Sequence, residues 1–298
     1  MENARVIVLF VDDCPDRKQQ RRNLTNAGNH GMPGVLMKMS NNTILITGGT
    51  SGIGYALAAQ LLERGNTVLI TGRTEEKLAM VRQSLPGVHT YISDVSDPAA
   101  IRRLYSDVTR AFPDLNVLIN NAGIGLKRNL NDTTGPLGDL DREIKTNLIG
   151  PIQMIKQFLP QLKRQKMAAI VNVSSGLAFV ALAVKPIYCA TKAAVHSYTQ
   201  TLRVQLKNSS VKVVELAPPA VKTNFNKGQE ELNSSAAMDV NKFAKASIRG
   251  LERGQEEILP GLSPVARLIG RVAPHAVFMK AEAERMIAEG EKDAKQMQ

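Results

Sequence analysis

From residue 43 to residue 217 the chain alternates short apolar runs with segments of helical periodicity. Ile44-Leu45-Ile46, Val68-Leu69-Ile70, Val117-Leu118-Ile119, Ile170-Val171-Asn172-Val173 and Val211 to Ala217 are the runs. Such a run, bounded by turn residues, is the pattern of a strand buried on both faces. After the first run, Ile53, Leu57, Ala58, Leu61 and Leu62 fall on one face of a helix. Unbroken strand–helix alternation predicts an α/β fold, a doubly wound parallel sheet in a single domain over residues 41–262. A last strand is expected near Glu257–Pro260. Residues 1–40 form an N-terminal extension outside this pattern, with one strand-like run at Val6–Val11. It is expected to be poorly ordered or the product of a misassigned start, since Met32, Met37 and Met39 lie just before the first strand. Residues 263–298 form a C-terminal extension of loose helical spacing, interrupted by Pro264, Gly270 and Pro274. A helix covering a pocket or a subunit interface is the plainer reading, a helix lying on a membrane surface the other.

The junction of the first strand and helix carries the first chemistry. Thr47-Gly48-Gly49-Thr50-Ser51-Gly52-Ile53-Gly54 is a strand, a glycine turn and a helix start. Glycines let a backbone approach a pyrophosphate, and a helix N-terminus offers N–H groups and the positive end of a dipole. The spacing is T-G-x-x-x-G-x-G, one residue longer between its first two glycines than G-x-G-x-x-G. Where the second strand ends, an NAD-binding chain usually places a carboxylate for the ribose 2′-hydroxyl. This chain has Arg73. A guanidinium suits a phosphate and cannot accept from a hydroxyl, so NADP(H) is favoured over NAD(H).

Tyr188 and Lys192 stand four apart, about one helical turn, and Ser175 precedes the tyrosine by thirteen residues. A free tyrosine titrates near pH 10. A fixed cation within about 4–6 Å favours the phenolate, so Lys192 is expected to lower the Tyr188 pKa. The pair then suits proton exchange with a carbonyl oxygen.

Taken together, these residues resemble the short-chain dehydrogenase/reductase family over about residues 42–260. Asn120-Asn121-Ala122-Gly123 after the Val117 run resembles the family's N-N-A-G. Asp94-Val95 resembles the pair that contacts adenine, and Asn147 the asparagine of an Asn-Ser-Tyr-Lys tetrad. The resemblance implies a Rossmann-like fold and hydride transfer between a nicotinamide cofactor and a small-molecule carbonyl/alcohol pair. It implies Asn147, Ser175, Tyr188 and Lys192 as catalytic residues. Gly48, Thr50, Ser51, Gly52, Ile53, Gly54, Arg73, Asp94, Val95, Asn121, Ala122 and Gly123 would bind cofactor, with Tyr188, Lys192, Pro218, Val221 and Thr223. It also implies a homodimer or homotetramer, through helices near 151–166 and 188–207; Met154, Ile155, Phe158 and Leu159 supply apolar surface on the first, for a partner or simply for packing against the sheet. One departure is Pro218-Pro219 where the family has Pro-Gly. Proline has a fixed φ and no N–H, so a stiffer pocket floor is expected.

The formal charge is +11 from 38 basic and 27 acidic residues, spread without a block of like charges. Steering of an anionic cofactor accounts for the sign, and no nucleic-acid partner is expected. No apolar run is long enough to span a bilayer. A cytoplasmic protein is expected. The two cysteines, Cys14 and Cys189, give neither a disulfide framework nor metal spacing, and the four histidines are scattered. The stretch Leu177–Val184 is almost wholly apolar and should either line a pocket for an apolar or amphiphilic substrate or pack on the core or a partner subunit, with 224–245 as a polar lid. A non-catalytic NADP-binding sensor on the same fold is the alternative, and nucleotide-sugar epimerase or dehydratase chemistry ranks below both.

Overall fold

In the computed structural model, residues 37–128, 140–226 and 237–273 are described. Seven parallel strands form one sheet in the order β3-β2-β1-β4-β5-β6-β7. They are β1 (Thr43–Ile46), β2 (Thr67–Gly72), β3 (His89–Ile92), β4 (Leu115–Asn120), β5 (Ala168–Val173), β6 (Val211–Leu216) and β7 (Glu257–Ile258). The helices are α1 (Gly52–Leu62), α2 (Glu75–Ser84), α3 (Pro98–Ala111), α4 (Asp141–Ile144), α5 (Gly150–Lys163), α6 (Pro186–Gln205), α7 (Val240–Glu252) and α8 (Ser263–Val272). A π-helical turn, Lys145–Ile149, joins α4 to α5.

The apolar runs sort by alternation onto two faces. Ile44, Ile46, Val68, Ile70, Val117 and Ile119 join one core with Leu57 and Leu61 of α1 and Phe243 and Ile248 of α7. Leu45, Leu69, Leu118 and Ile170 join the other with Leu104, Met154, Phe158 and Leu202. A period of two in a run that is apolar throughout is what a sheet covered on both faces requires. The doubly wound Rossmann-like architecture read from the sequence is therefore the one present.

Three expectations change. Met154, Ile155 and Phe158 are 0%, 2% and 0% exposed, packed on the sheet, so they offer no apolar surface to a partner subunit. Residues 240–245 are not lid: Val240 opens α7, whose Phe243 and Ala244 are fully buried. Met37 and Met39 belong to the first core, so the packed unit takes in residues ahead of β1. The strand-like run at 6–11, the middle of the expected lid and the C-terminal stretch from 274 lie outside the described residues. Among the described residues no helix is long and apolar enough to cross a membrane.

Strand order reverses between β1, which turns toward β2, and its other neighbour β4. In open α/β sheets that switch point leaves a crevice beyond the carboxyl ends of the strands. The residues following β1, β2, β4, β5 and β6 meet there.

Candidate active site

A cleft of about 940 Å³ occupies this crevice. That volume is at the upper end for small-molecule sites. Its floor begins at the glycine turn. Gly48 (φ +66°) and Gly52 (φ +56°) are left-handed, a conformation that L side chains rarely adopt. A Cβ on Gly54 would stand 2.5 Å from the Gly48 carbonyl oxygen and from Asn121 Nδ2. The turn is thus packed directly against the strand beside it. Ser51 makes no side-chain cap on α1 and no acidic residue occupies its first turn. The helix therefore points an uncapped N-terminus at the cleft, which suits a pyrophosphate.

The Asn121 segment is held from the same turn. Asn121 Nδ2 donates to the Thr47 and Gly48 carbonyls at 3.0 and 3.1 Å. Thr47 Oγ1 accepts from the Asn121 and Ala122 amides, each at 3.0 Å. Thr47 opens the glycine motif in the sequence, where it was given no role of its own. At the other end of the cleft stand Arg73, exposed at the end of β2, and Lys77 of α2, with Asp94 and Val95 after β3. Asp94 Oδ1 accepts from the amide and hydroxyl of Ser96, which fixes the turn. Thr50, Ser51, Ile53, Gly123, Pro218, Val221 and Thr223 also line the cleft, so the residues expected to bind cofactor line it with the exception of Gly54, which packs behind the turn.

The four candidate catalytic residues come from three elements. Asn147 sits in the π-turn, 1% exposed. Its Oδ1 accepts from Ile124 N and its Nδ2 donates to Ile124 O, both at 2.8 Å. Nδ2 also reaches Thr191 Oγ1 at 3.2 Å, beside Lys192. Asn147 thus clamps the exit of β4 to helix α6. Ser175 follows β5 and accepts at Oγ from Leu177 N at 3.1 Å. Tyr188 and Lys192 lie on α6, with Lys192 Nζ 5.7 Å from the tyrosine ring centroid and donating to Val173 O at 2.8 Å.

Electrostatics correct one expectation. Burial pushes the Tyr188 phenol up to about 12, against the opposing pull of its hydrogen bond with Ser175. Burial also pulls the Lys192 ammonium down to about 8. Desolvation disfavours the charged form of both groups and at the phenol outweighs the pull of Ser175. At pH 7 the pair rests as neutral phenol and ammonium.

The substrate end was only partly foreseen. Leu177, Val180 and Leu182 line the cleft as expected, joined by Pro219, Phe225, Leu262 and Ala266. The inner face of α8 closes this end, with Gly270 packed tightly on the Phe179 backbone. Two charged residues were missed. Lys185, 3% exposed, lines the cleft with Nζ 5.2 Å from the Phe225 ring centroid and 5.8 Å from that of Tyr188. Glu143, fully buried, accepts from Leu126 N at 3.0 Å, and burial pushes its carboxyl up. Its helical phase with Asn147, one turn on, was the one available signal. Cys189 is buried beside Leu182, a packed thiol.

A short chain dehydrogenase family profile matches residues 42–233. The chain belongs to the short-chain dehydrogenase/reductase family. Among its relatives, the uncharacterized oxidoreductase DltE of Bacillus subtilis is 45% identical over 224 residues, covering 74% of this chain and 89% of that protein. The dehydrogenase/reductase SDR family member 7B of Bos taurus is 31% identical, covering 62% of this chain and 60% of that one. A short chain dehydrogenase from Burkholderia cenocepacia in complex with NADP superposes with a TM-score of 0.70 at 27% identity, over 80% of this chain and 96% of that one. One from Burkholderia phymatum in complex with NAD gives 0.72 at 23% identity, over 79% and 95%. As a member of the family, the chain is an oxidoreductase acting on CH–OH groups with NAD(P) as acceptor.

Proposed function

We propose that this protein is an NADP(H)-dependent reductase of an apolar or amphiphilic carbonyl compound, working reversibly on the corresponding alcohol. The observation that carries the reading is the buried Tyr188 phenol, which lines the cleft together with Ser175, between the glycine turn and the apolar residues Leu177, Val180 and Leu182. A phenol at about 12 is a proton donor at neutral pH, which suits reduction. Ser175 holds the substrate oxygen beside that phenol. Lys192, tied to Val173 O, presents its ammonium below the tyrosine and toward the Gly123 backbone, where a nicotinamide ribose would be bound. Asn147 keeps the Ile124 backbone and the Thr191–Lys192 turn in register, and in the family's manner would also order a water that resupplies the proton.

The nicotinamide cofactor, when bound, supplies the hydride. The residues present fit it: left-handed glycines, an uncapped helix N-terminus, and Arg73 with Lys77 at the adenosine end. Those two cations support the 2′-phosphate form. The walls of Leu177, Val180, Leu182, Phe225 and Leu262 support an apolar substrate body, and the Lys185 ammonium gives it one polar point of attachment. We expect a homodimer or homotetramer. An interface on α5 would have to use residues other than Met154, Ile155 and Phe158.

The test is NADPH and NADH oxidation by purified protein against paired ketones and aldehydes of increasing apolar length. Turnover with NADPH that improves with chain length supports the reading. Tight NADPH binding with no turnover of any carbonyl, in either direction, would favour the sensor instead.

A further inference from the structure

A second buried polar cluster stands beside the tetrad and takes no part in it. Glu215 on β6 is 1% exposed. Its Oε1 accepts from Ser174 Oγ at 2.5 Å, and its Oε2 lies 2.7 Å from His196 Nδ1, within hydrogen-bond distance. Ser174 directly precedes Ser175. His196 is on α6, one turn beyond Lys192 and two beyond Tyr188. Burying a carboxyl group is costly unless each oxygen finds a donor. Here one donor comes from each of the two elements that carry the catalytic residues.

The order of contacts decides what the cluster can do. In a hydrolytic triad the imidazole touches the serine and the carboxylate stands behind it. Here the carboxyl lies between, with the hydroxyl on one oxygen and the imidazole on the other. His196 is not wired to activate Ser174. The cluster is a brace. Its reach extends to the far side of the Ser175 turn, because the His196 ring meets Phe179 edge-on at 5.0 Å between centroids. Ser174 and Phe179 flank the short turn Gly176–Ala178, and both rest on the same Glu215–His196 unit.

We propose that Glu215 is a positioning residue for the reductase chemistry. Through Ser174 and His196 it fixes the Ser175 turn relative to the helix that carries Tyr188 and Lys192. It acts from behind the site and rests on the reading of Ser175 and Tyr188 given above. Reacting groups displaced by about 1 Å can lose about 100-fold in rate, so a shared brace between the two halves matters to turnover more than to cofactor affinity.

The experiment compares wild type, Glu215→Ala and Glu215→Gln as full chains, in two readouts. The first is amide hydrogen exchange without cofactor or substrate. Glu215→Ala is expected to speed exchange at Gly176 and Leu177, and Glu215→Gln to restore protection. A glutamine can accept from Ser174 and donate to a neutral Nδ1, so it rebuilds the geometry without the charge. The second readout is kcat and KM with NADPH and the carbonyl panel, beside the NADPH Kd from fluorescence. Glu215→Ala is expected to lower kcat about 10- to 100-fold with Kd unchanged, and Glu215→Gln to recover most of it. A folded Glu215→Ala protein with wild-type exchange and kcat overturns the proposal, as does a parallel loss of kcat and NADPH affinity. If Glu215→Ala does not fold, Ser174→Ala and His196→Leu each cut one side of the brace. The double variant should then lose no more than the worse single variant, and additive losses overturn the proposal. A wild type that reduces no carbonyl would sink the reductase reading while the exchange readout still decides this one.

Discussion

The two ends of the cleft are built on different principles. The cofactor end is made of backbone: Gly48 and Gly52 in left-handed conformations, Gly54 pressed on the Gly48 carbonyl, and the uncapped start of α1. Its side chains mostly hold that backbone in place, as Thr47 and Asn121 do. The substrate end is made of side chains on the turn after β5, on the segment after β6 and on α8, with Lys185 buried among them. A backbone cradle demands particular residue types at fixed spacing. A wall of side chains accepts many solutions, so it varies freely with the molecule to be bound.

Breaking the shared point of the two ends should have the largest effect. Tyr188→Phe removes the proton donor without altering ring packing on Phe225, and kcat should fall about 10²- to 10⁴-fold. NADPH affinity should hold, as a fluorescence titration would show. Next is Arg73→Ser at the adenosine end. Losing a charged hydrogen bond of about 1.5–3 kcal/mol should raise the NADPH Kd about 10- to 100-fold and leave NADH nearly untouched. An equal loss for both cofactors would remove Arg73 from phosphate recognition. Gly48→Ala should affect the fold as well as the cofactor. Its Cβ would stand 2.9 Å from Ala122 Cα, in a conformation that costs an L residue about 1–2 kcal/mol. A melting point several degrees lower, with weaker NADPH binding, is the expected result.

The smallest effect is a slope. Folding pulls Lys192 from 10.5 to about 8, so it favours the neutral amine. That contribution is complete above pH 10.5 and is lost as pH falls toward 8. Tyr188 is raised from 10.0 to about 12, so its contribution is complete below pH 10 and is lost only above it. Of this pair only Lys192 changes between pH 8 and 10, and Cys189, raised from 9.0 by burial, contributes equally in wild type and Lys192→Met. Thermal melts across that window should show wild type gaining stability with pH relative to Lys192→Met. Parallel curves would mean that the lysine is better solvated than its burial implies.

The same contrast explains what could be read from the sequence. The sheet was legible because apolar runs covered on both faces have few other uses, and the glycine turn because its spacing is a backbone requirement. Asn147, Ser175, Tyr188 and Lys192 were proposed through motif order; Ser175, Tyr188 and Lys192 line the cleft, and Asn147 is buried behind it. Their electrostatics were not legible, since a neighbouring ammonium can be read from spacing but the desolvation of a buried phenol and a buried ammonium cannot. Lys185, Glu143 and the Ser174–Glu215–His196 brace left almost no trace. A lone charged residue in an apolar stretch reads the same whether it is solvated or buried against a partner distant in sequence. The apolar face of α5 was visible, but only packing could show that the sheet and not a second subunit covers it.

The most direct test of the central claim follows the hydrogen itself. Wild type and Tyr188→Phe would be incubated with NADPH carrying two deuterium atoms at C4 of the nicotinamide, together with the ketone and aldehyde panel, and the products analysed by mass spectrometry. The account predicts an alcohol one mass unit heavier, with the label on the former carbonyl carbon, formed by wild type and nearly absent with the variant. Product without the label, or labelled product formed equally well by Tyr188→Phe, would contradict it.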